Sequence, residues 1–102
     1  VETKIFTKQV LGLLSDEEYR HFQEKLVIDP HSGDLISDTG GLRKIRWGVD
    51  GRGKRGGLRI IYYWHGGKCI LLLLLLYKKN KQEDLTHEQK LFLKKLVQEE
   101  FR

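Results

Sequence analysis

The chain has 102 residues, 39% of them hydrophobic and 10% aromatic, which is the length and composition of a single domain spanning residues 1–102 with one core. Its one cysteine, Cys69, excludes an intramolecular disulfide and a cysteine zinc cluster, so a reduced, cytoplasmic protein is expected. The formal net charge is +5 and the longest apolar run, residues 70–76, is seven residues long, well short of the roughly 20 that cross a bilayer, so no membrane partner is expected.

Residues 3–10 place Thr3, Ile5 and Thr7 at alternate positions and read as a short first strand. Ser15 followed by Glu18 is a capping-box pair, and Tyr19, Phe22 and Leu26 recur at helical spacing, which predicts a helix over Asp16–Ile28. Asp29-Pro30 closes it, because the residue before proline is pushed out of the α region. The Gly-, Ser- and Asp-rich residues 31–41 read as a loop. Residues 42–47 and 58–64 read as two strands joined by a glycine-rich loop. After the turn at His65-Gly66-Gly67-Lys68, residues 69–77 with six consecutive leucines fit a central strand buried on both faces. Thr86 with Gln89 is a second capping box, and Leu93, Leu96, Val97 and Phe101 form the apolar stripe of a last helix. These elements predict an α+β domain: an antiparallel sheet of about four strands with an N-terminal helical segment and a C-terminal helix.

The charge is uneven. Residues 42–59 carry seven cations, Arg43, Lys44, Arg46, Arg52, Lys54, Arg55 and Arg59, against the single anion Asp50, so the rest of the chain is close to neutral. A positive field confined to one segment, interleaved with glycines and Trp47, favours a polyanion such as nucleic acid. Lys44 and Arg46 are two apart and share one face of their strand. With a helix covering the sheet on one side, that face is expected to be open to solvent, with Arg59 joining the pair from the next strand.

Other motifs carry less. Gly48 to Lys54 satisfies G-x-x-x-x-G-K, but the next residue is Arg55 rather than Ser or Thr, and a strand follows where a phosphate-binding loop requires a helix N-terminus. The four histidines, His21, His31, His65 and His87, lack metal-ligand spacing, so no metal site and no cofactor is expected. His21 and His31 read as surface residues, and Cys69 reads as a small packed apolar side chain.

Gly40-Gly41-Leu42-Arg43-Lys44-Ile45-Arg46, continued by Gly53-Lys54-Arg55-Gly56-Gly57-Leu58-Arg59-Ile60-Ile61-Tyr62-Tyr63, resembles the RelE/ParE toxin superfamily of bacterial type II toxin–antitoxin systems, and is most similar to its HigB/RelE-like branch. Leu76-Tyr77-Lys78-Lys79-Asn80 and Asp84-Leu85-Thr86 resemble that branch's closing strand and the entry to its last helix. The resemblance covers about half the chain. It implies a RelE-like fold and an mRNA interferase: an endoribonuclease that enters the ribosomal A site and inhibits translation by cutting mRNA there, through metal-independent attack of the ribose 2′-OH on the adjacent phosphate. A cognate antitoxin would hold it inactive by covering Lys44 and Arg59.

Such a reaction needs a base, cations for the charge developing on phosphorus, and an acid for the 5′-oxygen. Lys44 and Arg46 match the family's paired basic positions and Arg59 its phosphate-contacting arginine. Crowded cations favour a neutral lysine, which suggests Lys44 as the base. Asn80 and Thr86 stand where RelE itself has arginine and tyrosine, so the acid falls to Lys79, Tyr77 or His87. Arg43, Arg52, Lys54, Arg55 and Lys78 are further candidates for RNA phosphate contacts. Two other readings fit the same fold: a ParE-like inhibitor of DNA gyrase, and an RNA-binding module without catalysis.

Overall fold

The computed structural model describes residues 1–48, 57–82 and 84–101. In chain order it contains α1 (Lys4–Leu13), α2 (Asp16–Ile28), β1 (Asp34–Leu35), β2 (Arg43–Trp47), β3 (Leu58–His65), β4 (Ile70–Lys78) and α3 (His87–Glu100). The strands form one antiparallel sheet in the order β1-β2-β3-β4. This is the expected α+β architecture.

One element has the wrong type in the sequence reading. The segment beginning at Thr3 is α1, not a strand: Thr3 is its N-cap and its hydroxyl accepts from the Phe6 N–H at 3.0 Å. Phe6, Val10 and Leu14 are the buried positions, a spacing of four that outweighs the alternation of Thr3, Ile5 and Thr7. The fourth strand is instead β1, two residues inside the segment read as a loop, paired with Lys44 and Arg43. Both capping boxes form, at Ser15 and at Thr86, and each satisfies N–H groups that a helix start leaves unpaired.

The sheet is covered on both faces. Phe6, Val10, Leu14, Phe22 and Leu26 pack with Ile45, Leu58, Ile60, Tyr62, Leu73 and Leu76 on the α1–α2 side. Leu42, Ile61, Leu72, Leu74, Tyr77, Leu85 and Leu93 form the core beneath α3. The expectation of a solvent-facing second side is therefore corrected, because the apolar residues on that face need a cover and α3 supplies it.

The leucine run feeds both cores through a bulge. Ile61 pairs with Leu75 and Tyr62 with Leu73, so Leu74 is the extra residue. Leu71, Leu73 and Leu76 serve the α1–α2 side, while Leu72, Leu74 and Leu75 serve the α3 side. The strand is buried on both faces as expected, but it lies last in the strand order rather than centrally. Its outer edge is occupied by the N-terminal segment: Glu2 bridges Leu73, Thr3 N donates to Leu73 O at 3.0 Å, Leu73 N donates to Val1 O at 2.8 Å, and the Gln9 side chain accepts from Leu76 N at 2.8 Å. That cover removes the row of open donors and acceptors an edge strand would present.

Cys69 is also corrected. It is exposed in the turn between β3 and β4, with φ at 54°, and its position is set by the reversal of the chain rather than by packing.

Candidate nucleic-acid interface

Strand register brings the basic residues together. Arg46 pairs with Arg59 on β3, and Arg59 pairs with Tyr77 on β4, giving a row across three strands at steps of about 4.8 Å. Lys44 is two residues along β2 from Arg46, hence on the same face and roughly 6–7 Å away.

A groove of about 400 Å³ opens at this end of the face, lined by residues that include Lys44, Arg46, Asp84 and Lys90, with Asp34 and Ser37 from the chain ahead of β2. Arg46 lines it and is exposed. Lys44 is paired: its Nζ donates to Asp84 Oδ1 at 2.8 Å. The hydrogen bond and positive charge of Lys44, with further help from Lys90 and Arg59, hold the Asp84 carboxyl below the usual carboxylate range. Asp84 therefore sits among three cations, and Lys44, expected to stand among cations alone and so to favour the neutral amine, is instead paired with a carboxylate that favours its charged form.

Arg59 and Tyr77 stand behind this groove, only 1% and 8% exposed. Arg59 was expected on an open face. Instead it is enclosed, its Nη1 donating to the Leu58 carbonyl at 3.4 Å, while its charge still reaches Asp84. Gly57 makes the close approach of this strand possible, since a Cβ there would lie 1.9 Å from the Trp47 carbonyl oxygen.

Other sequence candidates lie elsewhere. Arg43 belongs to the opposite face of β2, and its Nη1 donates to the carbonyls of His31 at 3.2 Å and Gly33 at 2.7 Å, which ties the chain after α2 to the sheet. Lys78 ends β4 and Lys79 follows it, both exposed. His87 is the first residue of α3 and is exposed. Neither Lys79 nor His87 is among the lining residues of the groove. Arg52, Lys54 and Arg55, with most of the glycine-rich loop, fall outside the described residues. Among the described residues, no cluster of three His, Cys, Asp or Glu side chains could hold a metal ion, and no helix is long and apolar enough to cross a membrane.

Sequence reasoning missed Asp84 and Lys90. A signal for Lys90 exists: it precedes Leu93 by three residues and Val97 by seven, so it lies on the helix stripe that packs on the sheet and extends that stripe past the apolar core. For Asp84 no local pattern marks a partner 40 residues away. A scan against models of known protein families finds none that matches the chain.

Proposed function

We propose that the protein is a ribosome-dependent mRNA endonuclease of the RelE-like toxin type. The observation that carries this reading is the groove lined by Lys44, Arg46 and Lys90, in which Lys44, Lys90 and the charge of Arg59 act together on the Asp84 carboxylate. A carboxylate held by several cations marks a place where a phosphate oxyanion is stabilised by the same groups. The motif resemblance of residues 40–46 and 53–63 adds the reaction class.

In the proposed step an RNA phosphate displaces Asp84 from Lys44. The ribose 2′-oxygen bonds to phosphorus as the bond to the 5′-oxygen breaks, leaving a 2′,3′-cyclic phosphate and a 5′-hydroxyl. Freed of Asp84 and left beside Arg46, Lys90 and the charge of Arg59, the Lys44 ammonium gives one proton to solvent and then, as the neutral amine, takes the proton from the 2′-OH, while Arg46 and Arg59 offset the charge that develops on the phosphate oxygens. None of the three acid candidates is among the residues that line the groove; Tyr77 is taken as the acid in this reading because it is the one that shares the Arg46–Arg59 row. The cognate antitoxin in this reading supplies an acidic segment that covers Lys44 and Arg46 and inhibits by occlusion.

Expression of the intact chain and of an Arg46→Ala variant in bacteria, with growth followed and new mRNA 5′ ends mapped, tests the proposal. Arg46 is exposed, so its loss leaves the core intact. Growth arrest with new ends inside translated codons is expected for the intact chain, with cleavage reduced at least tenfold by the variant. Arrest without new ends, accompanied by DNA damage, would move the reading to gyrase.

A further inference from the structure

The face that carries Arg59 continues along β3 through Ile61 to Tyr63 and His65, since alternate residues of a strand share a side. At that far end lies a second depression of about 330 Å³, lined by residues that include Gly40, Tyr63, His65, Lys94 and Phe101. Three rings gather there: Phe101 is 5.7 Å from Tyr63 and 4.6 Å from His65, centroid to centroid, and Tyr63 is 6.4 Å from His65. Cations flank them. Lys68 Nζ stands 5.9 Å from the Phe101 ring centre, and Lys94 lies beside Gly40, where a Cβ would be 3.7 Å from its Cε. His65 Nδ1 accepts from the Lys68 N–H at 3.1 Å, which places the proton of the neutral ring on Nε2 as a donor.

The two depressions are walled by different residues of the same two segments. Residues 34–37 line the cationic groove and residues 39–40 the aromatic one, while α3 contributes Lys90 to the first and Lys94, one turn on, to the second. Between them Ile61 is fully buried beneath α3, so the phosphate-binding end and the ring-bearing end are joined over residues 34–40 and along α3 from Lys90 to Lys94 rather than across the strand. Arg59 and His65 are six residues apart on β3, roughly 20 Å, a separation spanned by a few nucleotides of an extended single strand. Rings bordered by lysines suit unpaired bases, which stack on aromatic faces while their phosphates meet cations.

We infer that the pocket of Tyr63, His65 and Phe101 is a base-binding subsite, which takes one unpaired nucleobase of the same RNA strand whose backbone lies in the Lys44–Arg46 groove. This rests on the proposed RNA-cleaving reading and adds to it a second point of contact, distant from the reacting phosphate, that sets how the strand is registered.

Fluorescence anisotropy with the purified full chain and a labelled six-nucleotide single-stranded RNA tests this. Each base is replaced in turn by an abasic sugar, and each phosphate by a neutral methylphosphonate. One abasic position is expected to weaken binding on the order of tenfold. That position should lie a few nucleotides from the most sensitive phosphate, and its effect should vanish in His65→Leu, which keeps an apolar side chain beside Phe101. If every abasic RNA binds alike while a neutral phosphate still weakens binding, the aromatic pocket holds no base and the inference falls, with the groove unaffected. Position-dependent base binding without any ribosome-dependent cleavage would uphold the pocket and remove the nuclease reading instead. An acidic peptide that binds at His65 while RNA does not would assign the pocket to a protein partner and overturn the inference.

Discussion

Asp84 is exposed over 72% of its side chain, yet its carboxyl is held below the usual carboxylate range by the hydrogen bond from Lys44. The sign follows from linkage. A carboxyl whose value is depressed in the folded protein contributes stability above the range of a free aspartate, about 3.9, and loses it as the pH falls through the folded value. The Lys44–Asp84 contact is thus intact near neutrality. A carbon-detected NMR titration is expected to place Asp84 below free aspartate in the intact protein and to return it upward in Lys44→Met; an unchanged midpoint would show that Lys44 is not its main partner. A second residue acts on the backbone. The Tyr62 hydroxyl is buried, donates to Pro30 O at 2.8 Å and accepts from Gly33 N at 2.8 Å, so it anchors the turn after α2. Tyr62→Phe leaves a buried N–H and a part-buried carbonyl without this partner and is expected to cost about 1–3 kcal/mol in denaturant melts; a loss below about 0.5 kcal/mol would contradict that account. Gly33 has no room for a side chain, since a Cβ would lie 2.8 Å from the Tyr62 ring and hydroxyl.

At the scale of elements, the strongest local signals were those with chemistry at both ends. Ser15 with Glu18 and Thr86 with Gln89 mark the starts of α2 and α3 in the sequence, and both capping boxes form. α1 was misread because its Thr3-Ile5-Thr7 alternation is local, whereas its helical stripe needs Leu14 to become visible. Thr3, a residue type that caps helices, is the sequence feature that marks the start of α1. β1 is too short to carry any period. The leucine run shows a different limit. Identical residues give no pattern for facing, so its division between two cores is set by the bulge at Leu74 and cannot be seen in composition. Leu74 is fully buried, so Leu74→Ala is expected to cost about 2–5 kcal/mol. Leu75→Ala should cost less, because that side chain is only partly enclosed. Equal losses, read from urea midpoints, would contradict the assignment of Leu74 to the α3 core.

For the whole molecule, the excess of charge in residues 42–59 was legible at once, and the shared face of Lys44 and Arg46 follows from strand period alone. What the fold adds is register, which sets Arg59 beside Arg46, and the approach of α3 and the residues just ahead of it, which brings Lys90 and Asp84 to the groove. The second sheet face is therefore a site only at the ends that α3 leaves open. Purified ribosomes carrying an mRNA with a defined A-site codon test the central claim most directly, with a second mRNA bearing 2′-deoxyribose at each position of that codon. The account predicts cleavage of the ribosome-bound ribose mRNA, no cleavage of the deoxy-substituted one, and a loss of at least tenfold in Lys44→Met. Cleavage that persists without the 2′-hydroxyl, or that is unaffected by Lys44→Met, would contradict it.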